Sequence, residues 1–424
     1  MPQYRGINYM RKKLTQKRHR VLVRYKYYEM KDIANERSLL IPLHMRQQYK
    51  AVMGWCAKSV DSLADRLVFR EFANDDFDIN EIFNMNNPDT LFDSGVLSSL
   101  ISSCSFVYVS PDKDGYPRLQ VIDGSNATGE LNPITGLLNE GYAVLERDDQ
   151  GNPVLEAHFG IGETLYYQKG QVIQHLKHPK VPAPLLVPII NRPDAKRPFG
   201  HSRISRSCMY FQRYAKRVLE RSDVSAEFYS FPQRYILGLS QEAEQMNKWQ
   251  ATVSSFLQFD KDDEGDHPTL GQFQQQSMSP YTEQLRTAAA AFAGETGLTL
   301  DDLGFVADNP SSAEAIKASH ENLRLLARKA QRTFGRGFLN VGYLAACMRD
   351  QYAYQRSQFY LTKPKWEPVF EPDAAMLSSI GDGAIKLNQA VPGFIGPDNL
   401  HDLTGIKPGN RTVIHEEEEK IIYE

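Results

Sequence analysis

The stretch SSAEAIKASHENLRLLARKAQRTFGRGFLNVGYLAACMRD, residues 311–350, decides the fold. Its apolar side chains recur at three- and four-residue steps, the spacing that places them on one face of an α-helix. They are Ile316, Leu323, Leu326, Ala330, Phe334, Phe338, Val341 and Leu344. At 1.5 Å per residue a helix over this stretch would reach roughly 60 Å. Gly335, Gly337 and Gly342 predict a bend within it.

Arginines repeat every four residues on the other side of this predicted helix, at Arg324, Arg328, Arg332 and Arg336. Like charges at this spacing repel one another within one helix, so the stripe needs acidic partners or phosphate. The chain as a whole has a net charge of -3, but its charges are segregated. Residues 1–50 carry 13 Lys/Arg against 3 Asp/Glu, residues 256–310 carry 2 against 10, residues 311–336 carry 6 against 2, and residues 367–424 carry 4 against 11. Each block alone is consistent with a solvated face. Together the alternating blocks favour a head-to-tail assembly, the kind of contact that closes rings.

Upstream of the long helix, the sequence predicts a domain of helices and antiparallel strands over residues 40–180. Helical spacing covers residues 43–67 and 89–102. Period-two segments separated by turn residues then predict strands. Their ranges are 106–109, 118–122, 141–147, 154–159, 164–167 and 172–176.

A proline-rich connector, residues 179–198, leads to a second group of elements. Two helices, at 202–223 and 281–293, flank a small insert with predicted strands at 234–239, 256–259 and 270–273 and a helix at 241–256. A strand at 359–370 and a helix at 373–389 follow the long helix.

Composition and motifs exclude several classes of protein. The chain has 424 residues and 4 widely spaced cysteines, which is not a disulfide-stapled scaffold. No apolar stretch reaches the roughly 20 residues of a membrane span. A P-loop requires a Gly-Lys pair, and the sequence has none. The spacing of Asp260, Asp262 and Glu264 resembles the start of a calcium loop, but Gly271 stands where the bidentate glutamate belongs, so a solvated turn is the favoured interpretation. We therefore predict no catalytic residues and no cofactor.

Four strings, taken in order, resemble the portal protein, or head-to-tail connector, of tailed bacteriophages of the siphophage type. They are VPIINRPDAKRPFGHSRIS at 187–205, AGETGLTLDDLG at 293–304, SSAEAIKASHENL at 311–323 and KPKWEPVFEPD at 363–373. The resemblance covers about residues 20–390. Thr299 departs from the pattern, since relatives often have proline there.

This resemblance implies an α+β, portal-like fold: a helix-rich wing with an antiparallel sheet, two stem helices flanking a small α/β clip, and a long bent wing helix. Its domains would be the first part of the wing at 1–200, stem helix 1 at 201–223, the clip at 224–280, stem helix 2 at 281–293, the tunnel loop at 294–310, the long wing helix and strand at 311–370, and a small crown with an acidic tail at 371–424.

The function implied is a ring, typically of twelve copies, at one capsid vertex, through which double-stranded DNA is packaged and ejected and to which the tail connector attaches. Implied partners are the terminase large subunit, a head-completion or adaptor protein, and the major capsid and scaffolding proteins, with no membrane. The protein would be in the virion, and in the host cytoplasm during assembly. The alternatives are a nucleic-acid-processing enzyme with a dispersed active site and another capsid-associated adaptor.

A DNA conduit must let the duplex slide, whereas Lys/Arg contacts to phosphate hold it. Acidic, small and apolar side chains of the tunnel loop are therefore predicted to line the channel, at Glu295, Thr296, Leu298, Asp301 and Asp302. The alternative is that the loop acids cap the following helix. Replacing Asp301 and Asp302 with lysine is expected to leave rings intact and to impair packaging. The four arginines of the stripe are predicted to form subunit contacts.

Overall fold

The chain forms two compact units, which are described separately below. A computed structural model describes residues 5–32, 50–230, 234–237, 269–272, 277–305, 313–370 and 372–407. Unit 1 comprises residues 1–25, 59–204 and 317–424, and unit 2 comprises residues 26–58 and 205–316.

The described helices are α1 (Ile7–Tyr28), α2 (Trp55–Ala64), α3 (Ile79–Asn84), α4 (Pro88–Ser102), α5 (Arg206–Ser230), α6 (Ser279–Thr296), α7 (Ala313–Ser319), α8 (Glu321–Arg349), α9 (Ala374–Ala390) and α10 (Pro397–Thr404). The described strands are β1 (Phe69–Ala73), β2 (Cys104–Pro111), β3 (Pro117–Ile122), β4 (Ala127–Leu131), β5 (Leu138–Arg147), β6 (Pro153–Gly160), β7 (Glu163–Gln168), β8 (Gln171–Lys177), β9 (Leu186–Ile190), β10 (Arg234–Leu237), β11 (Thr269–Gln272) and β12 (Lys363–Trp366).

The described residues of unit 1 form three antiparallel sheets. Strands β4 to β8 form a five-stranded sheet in chain order, β2 lies between β3 and β9, and β1 pairs with β12. The prediction of a mixed fold with helices and antiparallel sheets is confirmed. Strand β9 lies within the stretch interpreted as a connector, where Pro188 pairs with Phe106 of β2.

The long helix is interrupted at His320, which separates α7 from α8, rather than at its glycines. The three glycines lie inside the continuous helix α8 at points where another segment approaches closely. A Cβ atom on Gly335 would lie 2.6 Å from Cγ of Pro364, and one on Gly337 would lie 2.9 Å from Cδ1 of Ile189. The glycines therefore permit tight packing of α8 against the sheets of unit 1.

The centre of unit 1 is aromatic. Phe338 of α8 meets Phe92 of α4 with 4.6 Å between ring centroids, and Phe92 stacks on Phe83 of α3 at 5.0 Å. All three side chains are buried, so α8 shares an aromatic core with α3 and α4.

Unit 2 contains α5 and α6, with the short strands β10 and β11 paired antiparallel between them in sequence. Trp55 packs against Phe292 of α6, with ring centroids 5.5 Å apart. The side chain of Gln212 on α5 accepts a hydrogen bond from the backbone of Cys56 at 2.8 Å. The predicted helix 241–256, the strand 256–259 and the metal candidates Asp260, Asp262 and Glu264 lie outside the described residues.

Helix α1 is an element that the sequence analysis missed. Glu140 of β5 accepts hydrogen bonds from the backbone nitrogens of Arg5 and Gly6, each at 2.8 Å. Arg11 of α1 forms a two-pronged ion pair with Glu156 of β6, at 3.0 and 2.6 Å. Part of the basic block at residues 1–50 therefore binds α1 to the five-stranded sheet of the same subunit.

We expect Glu156→Gln to lower the free energy of unfolding by about 1–2 kcal/mol, because two charge-assisted bonds to Arg11 are replaced by weaker ones. Burial raises the pKa of Glu156, but hydrogen bonds from Arg11 and Tyr142 lower it by more, so the net pKa lies below its ordinary value. A depressed pKa contributes stability above the ordinary value and loses it as the pH falls through the folded value.

The wild type should therefore lose this contribution in acid, and Glu156→Gln should have a flatter dependence of stability on pH below about 4.5. Denaturant unfolding between pH 3 and 6 measures the difference. Glu146→Gln is the matched control, because Glu146 lies on β5 with its side chain exposed. Equal curves for the two variants would contradict the role of Glu156.

Candidate functional site

The channel loop was predicted at 294–310, but its first three residues belong to α6, which ends at Thr296, and residues 306–310 lie outside the described residues. The described part after α6 turns twice through left-handed backbone. Gly297 has a φ of 72° and donates its N–H to the carbonyl of Ala293 at 2.8 Å, which ends the helix. A short 3-10 turn, Asp301–Leu303, is followed by Gly304 with a φ of 88°. Glycine is the residue that adopts such angles without strain, so the sequence of the loop sets its path.

Two of the predicted lining residues are buried. Thr296 donates its hydroxyl hydrogen to the carbonyl of Phe292 at 2.8 Å, and the side chain of Leu298 is also buried. Glu295 and Asp301 are exposed. The carboxylate of Glu295 accepts a hydrogen bond from the hydroxyl of Ser205 at 2.9 Å. Of the four residues, only Glu295 and Asp301 present their side chains at the surface of the unit.

Asp302 is half-buried and shapes the loop. Its carboxylate accepts bonds from the backbone N–H and the hydroxyl of Thr299, at 2.9 and 3.0 Å, while its own N–H donates to that hydroxyl at 3.1 Å. A proline at position 299 would have no N–H to donate. Threonine, which stands where relatives often have proline, therefore allows these bonds to form. The bonds that the structure shows for Asp302 hold the short turn.

The arginine stripe of α8 divides into two parts. Arg324 is bound by Glu321 one turn earlier, with both contacts at 2.7 Å. Arg328, Arg332 and Arg336 are exposed, and none of the described carboxylates lies within ion-pair distance of them. The unmatched charge of the stripe therefore resides on these three arginines.

These three arginines line a groove of about 940 Å³ in unit 1. The facing wall comes from the segment between α8 and β12 and from β12 itself. We call this feature the basic groove. Its cationic side chains are those of Arg328, Arg332, Arg336, Arg356, Lys363 and Lys365.

The basic groove has one acidic residue among its described lining, Asp402 of α10, and that carboxylate is already engaged. Arg70 donates to it at 2.6 Å, and Lys365 forms a second ion pair with it. Burial lowers the pKa of Arg356, and the positive charge of Arg336 lowers it further. The groove thus disfavours additional positive charge and favours an anion.

The sequence predicted the arginine stripe but not the basic groove. The residues of the facing wall come after the end of α8, so helical spacing could not place them beside the stripe. Arg356 is positioned by Asn340, whose side-chain oxygen accepts its Nε–H at 3.0 Å. The basic residues in the string KPKWEPVFEPD, Lys363 and Lys365, were the available signal for this wall.

Within the described part of the chain, no group of three His, Cys, Asp or Glu side chains could hold a metal ion. The four cysteines are buried, and burial raises the pKa of Cys347 to about 11 and that of Cys104 above its ordinary value. None of the described helices is both long enough and apolar enough to span a bilayer.

Two curated proteins named portal protein are similar to this chain. That of Mycobacterium phage D29 is 26% identical over 332 residues, which cover 73% of this chain and 67% of the relative. That of Mycobacterium phage L5 is 26% identical over 335 residues, with the same coverage. No family model matches the chain. The resemblance to phage portal proteins predicted from the sequence is confirmed by these relatives.

Two solved structures with 14% identity are also similar. A chain from the virion of a native gene transfer agent particle has a TM-score of 0.44, covering 92% of this chain and 99% of that one. A chain from the neck of the native particle computed with C12 symmetry has a TM-score of 0.45, covering 86% and 93%.

Proposed function

We propose that this relative of the phage portal proteins forms a ring-shaped channel at one vertex of a capsid, through which double-stranded DNA is packaged and ejected. The similarity to two portal proteins over 73% of the chain carries the proposal. These relatives support a portal role and do not favour a nucleic-acid-processing enzyme. The ring would contain twelve copies, the number that the sequence resemblance implies, and the role would be structural rather than enzymatic.

In this proposal α5 and α6 are the stem helices, and the loop after α6 faces the channel. Glu295, in the last turn of α6, and Asp301, in the loop, are exposed, so they are the acids that would meet the DNA. A carboxylate repels phosphate and releases no counterions from it, so the duplex would pass with weak contact. Thr296 and Leu298 are buried, so they would support the loop rather than meet the DNA.

Arg328, Arg332 and Arg336 would contact an acidic surface of the adjacent copy. Arg324 would contribute less, because Glu321 already binds it. Charge complementarity of this kind fixes the register between subunits. The terminase large subunit, a head-completion or adaptor protein, the major capsid protein and the scaffolding protein complete the proposed partners, in the virion and in the host cytoplasm during assembly.

Mass measurement and negative-stain images of the purified chain test the ring. We expect a closed particle with a central hole. A compact monomer or dimer at every concentration would overturn the proposal.

We expect Arg332→Glu to weaken ring formation by about tenfold, because it places a carboxylate where an acidic surface should dock. Lys386→Glu is the matched control, since Lys386 is exposed on α9, outside the stripe and the groove. The fraction of protein in rings is measured across a concentration series. If both variants assemble equally well, the stripe does not form the subunit contact.

A further inference from the structure

The basic groove holds more positive charge than the described chain neutralises. Six cationic side chains line it, and Asp402, the one acid in its described lining, is shared by Arg70 and Lys365. Three exposed arginines repeat along one wall, and Arg356 of the facing wall lies close enough for the positive charge of Arg336 to lower its pKa. A guanidinium group binds a carboxylate through two parallel hydrogen bonds, so a row of arginines fits a run of carboxylates.

The sequence of the same chain supplies such a run in Glu416–Glu419. The described residues end at Lys407, just after α10, and α10 itself contributes Asp402 to the groove. Nearby, a Cβ atom on Gly405 would lie 3.4 Å from Cδ of Pro368. The 9 residues from Lys407 to Glu416 can span up to about 30 Å when extended. The acidic run therefore begins within reach of the groove.

We propose that Glu416–Glu419 binds in the basic groove of its own chain, with its carboxylates on Arg328, Arg332 and Arg336. Attachment through a short linker gives the acidic run a millimolar-range effective concentration at the groove, which a separate molecule must exceed. The contact itself does not depend on ring formation. If the subunits also form the proposed ring, the acidic surface of an adjacent copy must displace the run from the groove. The run would therefore restrain assembly of free subunits.

A disulfide test uses the full chain, because its four native cysteines are buried. Ser357 is exposed and lines the groove, so the pair Ser357→Cys with Glu417→Cys places one thiol in the groove and one in the acidic run. Lys113→Cys with Glu417→Cys is the control, since Lys113 is exposed in the turn between β2 and β3. Under mild oxidation we expect the groove pair to cross-link at least tenfold faster, as a monomer-sized product.

Adding Arg332→Glu and Arg336→Glu to the groove pair should slow its cross-linking at least tenfold, and high salt should slow it as well. Equal rates for the groove pair and the Lys113 pair would overturn the proposal. A product the size of a dimer would assign the groove to the acidic run of another copy, which also overturns it.

A 20-base-pair duplex is the third arm. The proposal would be overturned if the groove pair fails to cross-link and the duplex binds the full chain but not Arg332→Glu/Arg336→Glu. The groove would then be a nucleic-acid site. If the cross-link forms but images show no ring, the proposed ring fails and the groove contact stands. If rings form without the cross-link, the groove contact fails and the proposed ring stands.

Discussion

Asp301→Lys is expected to leave rings intact and to reduce the amount of packaged DNA by about tenfold or more. Each lysine facing the channel would bind a phosphate and release its counterions, and a ring presents the same lysine from every copy. Since several such contacts act on the duplex at once, the DNA would be held where it should slide. Asp301 is exposed, so the substitution should not disturb the core of unit 2.

Two matched variants distinguish tight binding of the DNA by the lysines from other causes of reduced packaging. Asp301→Asn removes the negative charge without adding a phosphate contact, so packaging should fall much less. Asp398→Lys makes the same charge change at an exposed position of α10 in unit 1 and should package normally. Nuclease-protected DNA per capsid measures packaging, and negative-stain images count the rings. Wild-type packaging by Asp301→Lys would remove Asp301 from the proposed channel surface.

The structure also shows why Asp301 should be tested without Asp302. The expectation from the sequence joined the two residues in one substitution. Because the Asp302 carboxylate binds both the N–H and the hydroxyl of Thr299, a lysine at 302 would break the turn as well as reverse its charge. A loss of packaging in the double variant would therefore have two causes.

The sequence predicted most strands of unit 1 because their pattern is local. Apolar alternation separated by turn residues such as PDKDG at 111–115 sets both the strands and the hairpin register. In that hairpin, β2 pairs with β3 from Phe106↔Ile122 to Pro111↔Pro117. Prolines obscured β9 because proline normally marks a connector, and its place in the sheet depends on β2, far away in sequence.

Helix α1 and the basic groove were not predicted, because both depend on residues distant in sequence. Positive charges obscure the helical pattern of α1, and the acids that hold it, Glu140 and Glu156, come from strands more than 130 residues later. The basic groove likewise needs Arg356, from beyond the end of α8, beside Arg336. Spacing within one segment cannot report such contacts.

Gly342→Val is expected to lower the free energy of unfolding by about 3 kcal/mol, because α8 and α3 touch at this residue with no room for a side chain. A Cβ atom on Gly342 would lie 2.3 Å from Cγ2 of Ile79, and Ile79 is fully buried at the start of α3. Replacing glycine in a helix normally gains a few tenths of a kcal/mol, so the clash decides the sign. Chemical denaturation monitored by circular dichroism measures the loss.

Gly381→Val is the matched control, because a Cβ atom on Gly381 of α9 would meet nothing within 4 Å. It should change stability by no more than about 0.5 kcal/mol. The double variant Gly342→Val/Ile79→Ala should be more stable, by at least about 1 kcal/mol, than the sum of the two single losses of stability predicts. The cavity left by Ile79→Ala would accept the valine added at position 342. Additive effects would show that α3 moves away from α8 instead. In that case close packing at Gly342 does not hold the two helices together, and the helical glycines of the stretch 311–350 would need another explanation.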